Sequence, residues 1–176
     1  MFVLGHVGIG RRLVTRAYAA FSRRERRLFI LGALLPDLID KPLYYIPSWI
    51  TGKTGAALGL IAGTHSFAHT GLFLLLLAGA AALVRRRHSV HRGALRALAL
   101  GSATHLALDT IGLTMNAATM FWPLLGWQFT AFTHRGLGEH LWTIFRPVTL
   151  TGELLGGAVL AWDAWKRRHP SPPPGG

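Results

Sequence analysis

The sequence predicts an all-α bundle embedded in a membrane, with about four transmembrane helices and an additional N-terminal helix. Two observations carry this. The first is composition: 51% of the 176 residues are hydrophobic and 15% charged, with a mean hydropathy of +0.35. That is too apolar for an ordinary soluble domain. The second is arrangement. The net charge of +12 sits in short clusters between apolar runs: Arg11, Arg12 and Arg16; Arg23, Arg24, Arg26 and Arg27; Arg85 to Arg87 with Arg92 and Arg96; and Lys166, Arg167 and Arg168. Clusters of this kind set membrane orientation. A nucleic-acid binder gathers its charge along one face instead, so nucleic acid is not the expected partner. The chain has no Cys, which excludes disulfides and thiolate metal sites. Its length fits one domain, residues 1–168, followed by a disordered tail, 169–176, that ends PSPPPGG.

The elements follow in order. Residues 2–20 read as a first helix, basic toward its end and short or partly inserted. A second apolar segment starts at residue 28, and Pro36 and Pro42 are expected to break it. Residues 55–84 are the longest apolar run and the strongest transmembrane signal. Residues 94–113 form another candidate span. The aromatic stretch 114–147 suggests an interfacial loop or short helices, and residues 148–165 the last span. Four crossings with both termini cytoplasmic put every basic cluster on one side of an inner or plasma membrane. The abundant Gly and Ala read as close helix packing.

Acids and histidines inside the apolar runs point to a site. Asp37, Asp40, Asp109 and Glu153 lie there, as do His6, His65, His69 and His105. Ionised groups kept in hydrocarbon pair with one another or serve a function. At about 1.5 Å per helical residue, Asp37 lies roughly 15 Å from Arg27, and His105 and Asp109 roughly 14 and 20 Å from Arg96. Glu153 lies roughly 20 Å from Lys166 and His69 roughly 24 Å from Arg85, while His65 falls roughly 30 Å away, at the far edge. A lone His or Asp in an apolar helix is more often a packing residue than a ligand. Here four segments converge at one depth, and His105 and Asp109 stand four residues apart on one face. A cysteine-free His and carboxylate set suits a divalent metal such as Zn, or Mn. His88, His91 and His169 read as solvated, His134, Glu139 and His140 as rim residues, and Asp163 as the partner of Lys166 or Arg167.

Gly5-His6, Leu35-Pro36-Asp37-Leu38-Ile39-Asp40, Ala68-His69-Thr70 and Thr104-His105-Leu106-Ala107-Leu108-Asp109, followed by Phe121-Trp122-Pro123, occur in that order. Together they resemble the YdjM-like membrane-bound metal-dependent hydrolases, described as LexA-binding and inner-membrane-associated. The resemblance covers residues 4 to about 155. It implies a distant relation to the zinc-dependent phospholipase C and single-strand nuclease superfamily, all-helical phosphoesterases that hold zinc through His and carboxylates. It further implies His6, Asp37, His69, His105 and Asp109 as ligands, with Glu153 matching less closely. The family often has Pro-Asp-x-Asp, whereas two residues separate Asp37 from Asp40 here. It often has Arg-Gly before Thr-His-Ser, whereas Ala62-Gly63 precede Thr64-His65-Ser66. His65 and His69 are therefore alternatives for one position, and depth favours His69.

The expected function is hydrolysis of a phosphoester in a lipid or lipid-linked substrate, with Asp40 or Glu153 as general base. Two other classes stay open: a non-enzymatic scaffold or regulator-binding protein with a structural metal or polar cluster, and an ion-coupled transporter.

Overall fold

The computed structural model describes residues 3–84, 89–112, 115–129 and 137–169. Every regular element among them is helical. The chain forms α1 (Val3–Leu13), α2 (Thr15–Ala20), α3 (Arg23–Thr51), 3₁₀ turns at Gly55–Ile61 and Phe67–His69, α4 (Gly71–Leu83), α5 (Ser89–Ile111), α6 (Ala117–Met120), α7 (Leu137–Trp142) and α8 (Pro147–Arg168). Arg85 to Arg87, His88, His134 and residues 170–176 lie outside the described residues.

The helix α3 starts at a capping box. The Ser22 hydroxyl accepts from the Glu25 N–H, and the Glu25 carboxylate accepts from the Ser22 N–H at 2.8 Å. The Ser22 hydroxyl and backbone N–H together hold the Glu25 carboxyl below its ordinary value. The helix then runs unbroken for 29 residues through Pro36, Pro42 and Pro47, which corrects the expected break. Proline removes the bond to the carbonyl four residues earlier. For Pro36 that carbonyl belongs to Gly32, and the Ser102 hydroxyl of α5 donates to it at 3.0 Å. A partner helix thus supplies the missing donor, as polar side chains do for interrupted helices in membranes. Ser102→Ala is expected to lower stability by about 1 kcal/mol, read from denaturant unfolding in detergent. An unchanged midpoint would mean that another donor serves Gly32.

Two crossings bring backbone against backbone. A Cβ on Gly32 would run into Leu98, and one on Gly101 into Phe29 and Ala33, so α3 and α5 touch main chain to main chain. A Cβ on Gly8 would strike Gly156, and one on Gly156 would strike Leu4 and Gly5, which joins α1 to α8 in the same way. These pairings fix directions. Glu25 meets Gly93, and Ala33 meets His105, so α3 and α5 run parallel. Leu4 meets Glu153, and Arg11 and Arg12 both bond Asp163, so α1 and α8 run parallel. Asp163 therefore pairs across to α1 and not with Lys166 or Arg167. Gly10 meets Thr104, and His6 meets Asp109, so α1 opposes α5. The ends of α1 and α8 and the starts of α3 and α5 consequently share one end of the bundle. The described basic clusters gather there, and Val3 lies at the opposite end of α1 from them, so the described ends of the chain lie at opposite ends of the bundle and the expected placement of both termini on one side finds no support.

The apolar run 55–84 does not form one helix. Its regular part, α4, has only 13 residues. Gly59 takes φ +63°, a left-handed conformation that a helix does not contain, and residues 62–70 cross the bundle without α-helical backbone. Among the described residues, no single helix is long and apolar enough to cross a membrane. The helix α3 is long but carries Asp37, Asp40 and Lys41, and α4 is apolar but short. Residues Gly138–Phe145 and Pro147–Arg168 reach the required length and hydropathy only as a pair bent by 75°. The interior is nevertheless inverted relative to a soluble core. Among the described residues, buried polar side chains outnumber buried apolar ones, while Trp49, Leu75, Leu83, Leu124 and Leu154 face outward.

Candidate metal centre

The polar interior converges on six side chains: His6 from α1, Asp37 from α3, His65 and His69 from the segment before α4, and His105 and Asp109 from α5. They form three overlapping groups whose ligand atoms lie within 4.8 Å of one another: His6, His105 and Asp109; Asp37, His69 and His105; and His65, His69 and Asp109. These are the six residues that the sequence singles out as ligands. His65 joins them despite the depth count, with its Nε2 3.6 Å from Asp109 Oδ2. The count takes residues 65–71 as α-helix, whereas the backbone there is irregular apart from the 3₁₀ turn Phe67–His69 and folds His65 back beside His69. His65 and His69 are therefore not alternatives in space, since both face Asp109.

Backbone and carboxylate partners orient the rings. His105 Nδ1 lies 2.7 Å from the Ala33 carbonyl oxygen. A carbonyl only accepts, so Nδ1 carries the proton, and in the neutral ring Nε2 presents its lone pair. His69 Nδ1 lies 2.7 Å from Asp40 Oδ2. The Asp40 carboxylate also accepts from the backbone N–H groups of Ser66, Ala68 and His69, at 2.8, 3.1 and 3.2 Å. Four donors on one buried carboxylate tie the non-helical segment to α3. This is the carboxylate–histidine arrangement that fixes ligand tautomers in metal sites.

With both Nδ1 atoms engaged, the Nε2 atoms of His69 and His105 face each other at 3.2 Å. Asp109 Oδ2 stands 3.3 Å from His105 Nε2 and 3.7 Å from His69 Nε2, and Asp37 Oδ1 stands 3.5 Å from His69 Nε2. Lone pairs and carboxylate oxygens pointed at one spot repel unless a proton or a metal cation lies between them. The spacing also fits: ligands about 2.0–2.1 Å from a tetrahedral zinc stand about 3.3 Å from one another. His6 stacks on His105, with ring centroids 3.8 Å apart, and reaches Asp109 Oδ1 at 3.3 Å. The two oxygens of Asp109 thus face different histidines.

Asp40 and Glu153, expected as bases, have other engagements. Glu153 accepts from the N–H groups of Leu4 and Gly5, both at 2.9 Å. It caps the first turn of α1, where unpaired N–H groups and the helix dipole favour an anion, and so holds the turn that carries His6. Glu153→Gln keeps the shape and one good acceptor but loses the charge. We expect a loss of roughly 1–2 kcal/mol, measured by unfolding, together with weaker metal retention through His6.

Sequence reasoning missed Lys41. Its ammonium lies 2.6 Å from Asp37 Oδ2, and both side chains are partly exposed, at 21% and 16%. The signal was available as an i, i+4 pair. His6, His69 and His105 are fully buried and His65 is 13% exposed, so the mouth of the cluster lies at Asp37, Lys41 and His65. Of the proposed rim residues, Glu139 is exposed and His140 is buried against Tyr45. His91 and His169 are exposed.

The described residues form a helical bundle with an apolar exterior and a buried His and Asp cluster able to hold a metal ion. The chain belongs to the YdjM inner membrane protein family, whose model matches residues 1–167. No curated protein and no solved structure matches it. Family membership places it at the inner membrane.

Proposed function

We propose that the protein is a multi-pass, membrane-bound, metal-dependent hydrolase that cleaves a phosphoester in a lipid or lipid-linked molecule. The supporting observation is the opposed pair of Nε2 atoms of His69 and His105 between Asp37 and Asp109. Zinc suits this donor set, with manganese next. A bound divalent ion lowers the pKa of a coordinated water and stabilises charge on phosphoryl oxygens. The protein's own groups do the rest. Lys41 at the mouth meets the substrate phosphate, exchanging part of its pairing with Asp37 for it. His65, at the mouth and left outside the ion's own ligand set, takes the proton of the attacking water as its oxygen bonds phosphorus and delivers it to the departing alcohol oxygen as the P–O bond breaks. Asp40 and Glu153 act as positioning residues. The basic end faces the cytoplasm, and a lipid substrate enters sideways toward the mouth.

The experiment is elemental analysis of detergent-purified protein combined with release of phosphate or headgroup from lipid substrates. Bound metal with turnover supports the enzyme. A second reading is a structural metal site, favoured by the way the cluster joins α1, α3, α5 and the segment before α4. Metal without turnover on any phospholipid class would select that reading, and no metal after reconstitution would end both.

A further inference from the structure

A second feature lies at the basic end, away from the cluster. Between α2, α4 and α5 runs a cavity of about 650 Å³. Its walls are two helical stripes. From α4 come Leu74, Ala78 and Ala82, spaced by four, and from α5 come Ala99 and Ala103, also spaced by four. Phe21 lines it beside the start of α3. Alanines leave the space that larger side chains would fill. The volume and the apolar lining are those of a ligand site with few polar groups.

Arg92 and Arg96 continue the α5 stripe toward the basic end and line the same cavity. They are one turn apart, so both guanidinium groups project from one face. The Nε of Arg92 is buried and has no hydrogen-bond partner. A buried donor on a cation without a partner is costly, and an anion is its natural complement. The guanidinium fork matches the oxygens of a phosphate.

We propose that this groove binds one anionic phospholipid of the cytoplasmic leaflet, with its phosphate on Arg92 and Arg96 and an acyl chain along the alanine stripes of α4 and α5. Among the described residues, the channel is apolar with its charges at the membrane-surface end, which is the polarity of a lipid. The site is separate from the His and Asp cluster and does not depend on the hydrolase reading.

The test uses the full chain in nanodiscs of phosphatidylcholine with or without phosphatidylglycerol, followed by detergent exchange and native mass spectrometry of retained lipid. We expect one phosphatidylglycerol to stay bound to the wild type and phosphatidylcholine to wash off. Arg92→Gln with Arg96→Gln should reduce retention roughly thirty-fold, at about a kilocalorie per basic residue at the surface. Arg92→Lys with Arg96→Lys should restore part of it. Ala78→Phe, which fills the groove from α4, should abolish retention while a monodisperse elution profile shows the fold intact. Equal retention of both lipids, or retention unaffected by the Gln pair and by Ala78→Phe, would overturn the proposal. So would a dimer mass that Ala78→Phe alone disrupts, since a second chain would then occupy the groove. Absence of metal in the wild type would count against the proposed hydrolase without touching this result.

Discussion

His105→Ala is expected to strip the protein of bound divalent metal. The substitution removes an Nε2 ligand, leaves the Ala33 carbonyl without its donor, and takes away the ring on which His6 stacks. It leaves Asp109 facing His6 and His65 with one partner fewer. The loss should exceed the roughly 10–100-fold typical of removing a group that only orients a ligand. Asp109→Ala should do the same, because both of its oxygens face histidines. His91→Ala, on an exposed position of α5, should keep full metal content. Elemental analysis after dialysis against buffered metal reads all three variants. Equal metal in wild type and His105→Ala would end the case for a centre on α5.

Asp40→Asn is expected to weaken metal retention by roughly 10–100-fold and to destabilise the fold. If Asp40 were a general base, this variant would keep its metal and lose turnover alone. The geometry leads elsewhere. Four donors converge on the Asp40 carboxylate: three backbone N–H groups and His69 Nδ1. An amide offers one acceptor oxygen, and its NH₂ group confronts donors that it cannot satisfy. A buried donor left unsatisfied costs roughly 1–3 kcal/mol. The non-helical segment should therefore loosen, carrying His65 and His69 with it. Hydrogen exchange at Ser66, Ala68 and His69, measured beside metal content, separates this outcome from a purely catalytic one. Unchanged protection at those amides would show that Asp40 does not hold the segment.

Much of the centre was legible in the sequence because it rests on residue type and helical spacing. His105 and Asp109 share a face of α5, as their spacing requires. Ionisable groups kept in apolar runs did converge. The prolines misled because a break was inferred from their own helix. At Pro36 the relief comes from Ser102, which lies 70 residues from the Gly32 carbonyl it serves and which no local rule reports. Hydropathy likewise took residues 55–84 for a span, since Gly and Thr score close to neutral and it does not register a left-handed turn at Gly59. The roles of Asp40 and Glu153 were hidden for a further reason. Their partners are main-chain N–H groups, and these carry no residue identity. Asp163 was assigned to its neighbours in sequence, and only the parallel packing of α1 on α8 brings Arg11 and Arg12 to it.

That parallel pairing also sets an order of assembly. The helix α1 leans on α8, which is made much later. His6 stands next to Gly5, and the carboxylate that caps Gly5 arrives 148 positions after it. At about 5–20 residues per second, α1 waits many seconds for α8, with its glycine face uncovered. Nascent chains halted before residue 153 should hold five of the six ligand side chains in place while the sixth wanders. The His6 side of the centre therefore closes only once α8 is made, and a product stalled or clipped before it should hold its ion more weakly.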